Sequence, residues 1–448
     1  MAFSSSITSL RNKLQLVKNT PAIHRFLSLL GWVSVATVVD RFCLFAGLYF
    51  CALILDAPSY GKWGIAYSAI LALQVFIVLG NNTVISRYVP AQLESNFAQA
   101  ADIIRMTLLT AVLIVALCTG GLAVFSKILP VQFFEQETDL VMQFLLVVWL
   151  LAVSLSLLLQ AVVIAFQQGK ALAQSFVVPA GLALFGLPAA AAFFGYTGMI
   201  AVAALTECTR VLFLSVPVLC KFVEEKQPLF KHVRWKTYLP MFKFGMPVFL
   251  QGVLYAPILL AAQTIILTIH PDGLTQIGIF NFCYLLFSFV LLLSTQINKA
   301  AMPVLSQYAN SAERREFIRL AHGIMLTQFV GVLVIAGIVA VLAPYIMPEE
   351  SSSYWPTLSL TAAAAAAVSV QTSLGNSLLI VERQVQVFYS IIPWAIIMVV
   401  MTWVLTPYGV YAILLSLLTA GVVRTLLMAF HWWRWLQSGM QLPGGVDE

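Results

Sequence analysis

Twelve times along this chain the sequence turns apolar for long enough to cross a bilayer, which constrains the fold more than any single motif. A helical crossing of the hydrocarbon core takes about 20 residues. No water satisfies the backbone at that depth, so such segments must be helices that bond their own amides and carbonyls. Apolar runs between charged, Pro, Gly or Asn punctuation cover 28–54, 63–85, 104–128, 140–166, 171–194 and 198–219 in the first half. In the second half they cover 244–269, 275–298, 320–346, 356–380, 387–405 and 410–433. The expected fold is an all-α membrane protein of about 12 transmembrane helices.

Composition narrows the function classes. Only 9% of the 448 residues are charged and 61% are hydrophobic, whereas soluble domains carry about 25% charged residues. The segments between runs are too short for a large extramembrane catalytic domain. The net charge of +6 sits in loops, where it orients a membrane protein, so nucleic acid is not an expected partner. The six cysteines, Cys43, Cys51, Cys118, Cys208, Cys220 and Cys283, show no metal or disulfide spacing and read as small buried packing residues. Arg11, Lys13, Lys18 and Arg25 precede a long span, with no short apolar run ending in a cleavage site, so no secretory signal is expected.

With both termini inside, nineteen Lys and Arg fall in cytoplasmic loops, tails and adjoining helix ends. Lys62 and Lys127 fall outside, and Arg41, Arg210 and Arg424 lie within spans. That asymmetry fixes the expected orientation. The halves also repeat: Gly31, Gly64, Arg105 and Arg210 recur as Gly245, Gly278, Arg319 and Arg424, each 214 positions later. Six spans per repeat is an even number, so both halves insert the same way up. The expectation is two six-helix bundles, related by a pseudo-two-fold along the membrane normal, around a central cavity. The lobes would be residues 1–220 and 244–448. The 221–243 connection carries Lys221, Lys226, Lys231, Arg234, Lys236 and Lys243 among Phe230, Val233, Trp235 and Tyr238. It reads either as a segment on the anionic inner leaflet or as a solvated positive-inside loop.

Few polar groups lie within the spans. A charge at bilayer depth costs on the order of 2.5–3.5 kcal/mol, so adjacent Asp40 and Arg41 need partners, water or a role. Ser34, Thr37 and Arg41 share one helical face, and Asp40 lies about 100° away from Arg41. Two readings stay open: an anion-binding arginine with an ionisable neighbour in a wet cavity, or a buried pair locking the first helix. Glu207 is one turn from Arg210, and Arg424 has no acid nearby in sequence. Both arginines read as snorkelling towards the inner boundary. Asn81, Asn82, Ser86 and Arg87 cluster at the inner end of span two, matched by Gln296, Asn298 and Lys299 after span eight. Gln251, Gln263, Gln371 and Asn376 could bind sugar hydroxyls or join helices. Pro179, Pro188, Pro247, Pro257 and Pro393 mark expected kinks. No phosphate-binding loop, kinase motif or GxSxG occurs, so nothing suggests ATP hydrolysis or enzymatic chemistry.

From Leu53 to Tyr88 the chain reads LILDAPSYGKWGIAYSAILALQVFIVLGNNTVISRY. This resembles the second-span region of polysaccharide-type flippases, in which a loop ending in Tyr-Gly leads into a helix closing on a Ser/Arg motif. Here these are Tyr60-Gly61 and Ile85-Ser86-Arg87-Tyr88. The resemblance is to O-antigen or capsule-type flippases of the multidrug/oligosaccharidyl-lipid/polysaccharide (MOP) exporter superfamily. It implies translocation of an undecaprenyl-diphosphate-linked oligosaccharide across the bacterial inner membrane by alternating access. It also implies membrane lipids, a polysaccharide polymerase and a chain-length regulator as partners. By position it implies Arg41, Arg87, Lys299 and Arg424, with Asn82, Asn298 and Gln251, as cavity residues. Asp40 and Glu207 become candidates for H⁺ or Na⁺ coupling, with no other cofactor. Leu254 and Tyr255 stand where the second half would repeat Asp40 and Arg41. The alternative is a cation-coupled multidrug exporter of the same fold, for which exposed acids rather than arginines are expected. A membrane glycosyltransferase would need longer loops bearing catalytic acids than those at Glu135–Asp139 and Glu349–Ser353.

Overall fold

The computed structural model describes residues 21–93, 96–125, 140–228, 235–309, 314–346, 355–381 and 383–437. All regular structure among them is helical. In the first half, α1 is Pro21–Ile54, α2 Ala57–Val78, α3 Asn81–Leu93, α4 Phe97–Phe125, α5 Leu140–Ala165, α6 Gly169–Gly181 and α7 Leu187–Glu224. In the second, α8 is Trp235–Ile269, α9 Gly273–Ala309, α10 Arg314–Ile346, α11 Trp355–Ile380, α12 Gln384–Val404 and α13 Val410–Gln437.

Eleven stretches are long and apolar enough to span a membrane, and one of them runs 56 residues, from Gly169 to Glu224. That stretch is two spans. Gly195 breaks it with φ 63° and ψ −151°, a conformation that side-chain-bearing residues avoid. The chain doubles back there: Ser175 Oγ donates to the Phe213 carbonyl at 3.1 Å, from the other side of the turn. The expected division between spans five and six, 171–194 and 198–219, therefore falls at the turn. Before it, Leu182–Gly186 widens into a π turn just ahead of Pro188, whose missing N–H leaves a carbonyl without its helical partner.

Span two differs from its expected limits of 63–85. Helix α2 begins at Ala57 and stops at Val78, where Leu79 and Gly80 take positive φ of 48° and 72°. Asn81 and Asn82 thus open the separate helix α3. The expected span ran on to the apolar Val84 and Ile85, past the polar Asn81, Asn82 and Thr83 that follow the break. The expected 221–243 loop is likewise shorter, because α7 continues to Glu224 and α8 starts at Trp235. Arg105 of α4 pairs with Asp102 at 2.5 Å, donates to the Pro228 carbonyl and covers the Phe222 ring. The start of the connection is thereby tied to the first lobe. Helix α8 runs unbroken through Pro247 and Pro257. Among the described cysteine side chains burial fits only Cys51 and Cys283; Cys43 and Cys208 are half-buried, Cys220 is exposed, and the Cys118 side chain lies outside the described ones.

The apolar core divides by lobe. One cluster is drawn from Ala36 to Phe222, around Trp63, Trp149, Leu158, Leu172 and Met199. The other is drawn almost wholly from the second half, around Ile266, Phe280, Trp394, Met398 and Leu414. The same pairs of spans pack in each lobe: α5 on α7 as α11 on α13, and α1 on α6 as α8 on α12. Between the lobes, α2 meets α8 and α9, and α1 meets α9. At the ends of α2 and α9 nearest the α1–α2 and α8–α9 turns, backbones touch. A Cβ on Gly61 would overlap the Leu274 carbonyl, and one on Gly278 the Ala57 carbonyl. Phe45 stacks on Phe289 at 4.4 Å, and Tyr49 meets Phe282 at 6.3 Å. The lobes touch at this end and also at the far end of α2, where a Cβ on Gly80 would overlap the Gly245 carbonyl and Phe76 meets Phe249 at 6.0 Å.

Candidate functional site

The first lobe holds a buried charge network. Arg210 of α7 donates through one terminal nitrogen to Asp40 Oδ1 of α1 at 2.6 Å and through the other to Glu207 Oε1 at 2.7 Å. Ser156 of α5 donates to Glu207 Oε2 at 2.7 Å, and the guanidinium lies 5.2 Å from the centre of the Phe176 ring of α6. Side-chain exposures of 15%, 8% and 13% for Arg210, Asp40 and Glu207 place the network inside the bundle. Arg210 therefore turns inward to acids on two helices rather than snorkelling to the inner boundary. Asp40 is fixed by this arginine, 170 residues away in sequence, and not by its neighbour Arg41. Two carboxylates on one guanidinium retain one excess negative charge, which one proton or one monovalent cation neutralises.

Arg41 stands apart from the network. Its side chain is exposed and makes no ion pair or hydrogen bond among the described residues. Its direction follows from helix geometry, with about 100° per residue. Exposed Trp32, Val39 and Phe50, at 44%, 48% and 48%, lie roughly half a turn around α1 from it. These apolar groups form the face suited to lipid. Arg41 instead lies between buried Thr37 and Leu48, packed on the first lobe, and Phe45, stacked on α9 of the second. It lies at mid-span depth, on the side of α1 that carries the Phe45–Phe289 stack between the lobes.

The second lobe treats the equivalent arginine differently. Arg424 of α13 is 7% exposed, and Nε donates to Ser390 Oγ at 3.4 Å. No carboxylate among the described residues pairs with it. It too is buried rather than snorkelling. Ser390 stands at the repeat position of Phe176, and Tyr255 at that of Arg41. Tyr255 stacks on Trp394 at 5.0 Å, with the Tyr284 hydroxyl and the Arg424 guanidinium in its electrostatic neighbourhood.

The other sequence candidates scatter. Asn82 is half-buried on α3, its carbonyl accepting from Ser86 Oγ at 2.8 Å. Gln251 is half-buried on α8. Gln263 is buried to 1% with neither end of its amide partnered. Gln371 is buried on α11, and Gln328 accepts from Ser294 at 3.2 Å. The side chains of Arg87, Gln296, Asn298 and Lys299 lie outside the described ones. Sequence reading missed Ser156, Phe176, Ser390 and Tyr284. The 214-residue offset that relates Arg210 to Arg424 also picks out Phe176 and Ser390, so that signal was available.

No protein-family model matches the chain, and no curated protein matches it in sequence. Its fold is that of multidrug resistance MATE family transporters of the MOP superfamily. An inward-facing member is 14% identical, with TM-score 0.74 over 94% of this chain and 99% of that one. An outward-facing one is 13% identical, with TM-score 0.68 over 95% and 98%. A MOP superfamily transporter from Pyrococcus furiosus, described as having a binding pocket of reversed polarity that suggests a different function, is 13% identical. Its TM-score is 0.66 over 95% and 98%.

Proposed function

We propose that this protein is an alternating-access carrier that moves an anionic lipid-linked substrate, an undecaprenyl-diphosphate-linked oligosaccharide, across the bacterial inner membrane for surface polysaccharide synthesis. The observation that carries this reading is Arg41: an exposed guanidinium without a partner among the described residues, in the middle of a membrane span, where a cation without a counter-ion is costly. A diphosphate supplies the missing charge, and a guanidinium binds phosphate oxygens through two parallel hydrogen bonds. The acids near it, Asp40 and Glu207, already share Arg210, which leaves the cleft without a described free carboxylate for a cationic drug. With both termini cytoplasmic, the carrier would take up such a substrate from the inner side, where it is assembled. One proton on the Asp40–Glu207 pair would discharge the first-lobe network and offers the coupling step. A polysaccharide polymerase and a chain-length regulator are the partners this role implies.

A second reading, a cation-coupled multidrug exporter, draws on two observations: several neighbours of this fold are multidrug transporters, and the first-lobe network sets two carboxyl groups against one guanidinium. The P. furiosus neighbour indicates that the fold is not tied to one substrate polarity. Deleting the gene separates the readings. Accumulation of a lipid-linked glycan, with loss of surface polysaccharide and unchanged drug sensitivity, is expected. Drug hypersensitivity with normal surface glycan would favour the exporter.

A further inference from the structure

The internal repeat provides a control for every charged residue in the spans. Arg210 and Arg424 hold equivalent places in lobes that pair the same helices. Around Arg210 the first lobe supplies Asp40, Glu207 and Ser156. The matching positions around Arg424 are Leu254, Gly421 and Val370, with no acid and no hydroxyl. Yet Arg424 is buried, at 7% exposure. Its one described hydrogen bond is the 3.4 Å contact to Ser390 Oγ, which leaves four N–H groups without a described protein partner and open to a small solute.

We propose that Arg424 seats a small oxyanion or halide in the second lobe, as the counter-charge that the Asp40 and Glu207 carboxylates provide in the first. Tyr255, in the electrostatic neighbourhood of the arginine, carries the hydroxyl that could supply a further donor. The second lobe takes from solution, or from a phosphate head group, the counter-charge that the first lobe builds into its own chain. The site is distinct from Arg41, and it does not depend on which substrate the carrier moves.

The test is a thermal-unfolding titration of the detergent-purified full chain, with chloride or inorganic phosphate replacing gluconate at constant ionic strength. Wild type should show a saturable rise in melting temperature of about 2 °C or more. Leu254→Asp places an acid where the first lobe has Asp40, so it should abolish the rise while leaving melting in gluconate at or above the wild-type value. Gly421→Glu does the same from the Glu207 position, where an added Cβ meets Ala367 and Val368 at an ordinary 3.7 Å. Arg424→Gln should lose the rise with no gain in gluconate. A response to farnesyl diphosphate alone that persists in Arg41→Ala and is lost in Arg424→Gln assigns the site to a phosphate head group, and a response to chloride or phosphate assigns it to a resident ion. An absent response in wild type to all three anions, or the same rise in all variants, overturns the proposal. Either result leaves the Arg41 reading standing.

Discussion

Arg210→Gln should leave little folded protein. The substitution strands the Asp40 and Glu207 carboxylates inside the first lobe, where only Ser156 and the substituted amide could offset them. Breaking a buried ion pair by removing one partner costs about 3–5 kcal/mol, a large share of a stability that for ordinary domains is only about 5–15 kcal/mol. Detergent size-exclusion profiles should show aggregate in place of the wild-type peak. The triple variant Asp40→Asn, Glu207→Gln, Arg210→Met should recover the peak, since removing all the charges together leaves none uncompensated. If the single variant elutes as wild type, the network is solvated and not the lock inferred from its burial.

Arg41→Ala should have the opposite profile, with normal folding and failed export. Its side chain is exposed and bears no described contact, so truncation removes nothing from the packing. A charge-assisted hydrogen bond to phosphate is worth about 1.5–3 kcal/mol, or roughly 10- to 150-fold in substrate affinity. Complementation of the deletion strain should fall by at least about tenfold for Arg41→Ala. Arg41→Lys should restore it partly, keeping the charge but losing the planar fork. Full complementation by Arg41→Ala would remove this residue from substrate binding.

The contrast between these two arginines shows what the sequence could and could not disclose. The spans were legible because hydropathy and Lys/Arg asymmetry are local signals, and the turn at Gly195 coincides with the weakest point between spans five and six. The parallel repeat was legible from charged residues rare enough for two matches at one offset to be informative. Packing repeats the same relation in α5–α7 and α11–α13. The break at Leu79–Gly80 was marked by the Gly80-Asn81-Asn82 punctuation, but the apolar Val84 and Ile85 beyond it drew the expected span across the break. Asp40's true partner was hidden for another reason: adjacency favoured Arg41, whereas successive helical residues point about 100° apart. The hairpin of α6 and α7 brings Arg210 back to α1 across the lobe. Burial of Arg424 also ran against its sequence position, because helix α13 packs inward at that level rather than towards the boundary.

The central claim is that the cleft takes anionic lipid-linked substrates. It is tested most directly in proteoliposomes containing purified protein, with inward-to-outward movement of a fluorescent polyprenyl-diphosphate glycan measured beside efflux of a cationic dye. The account predicts protein-dependent movement of the diphosphate lipid that Arg41→Ala abolishes, with no dye transport. Dye efflux by the wild type that survives Arg41→Ala, with the diphosphate lipid left in place, would contradict it.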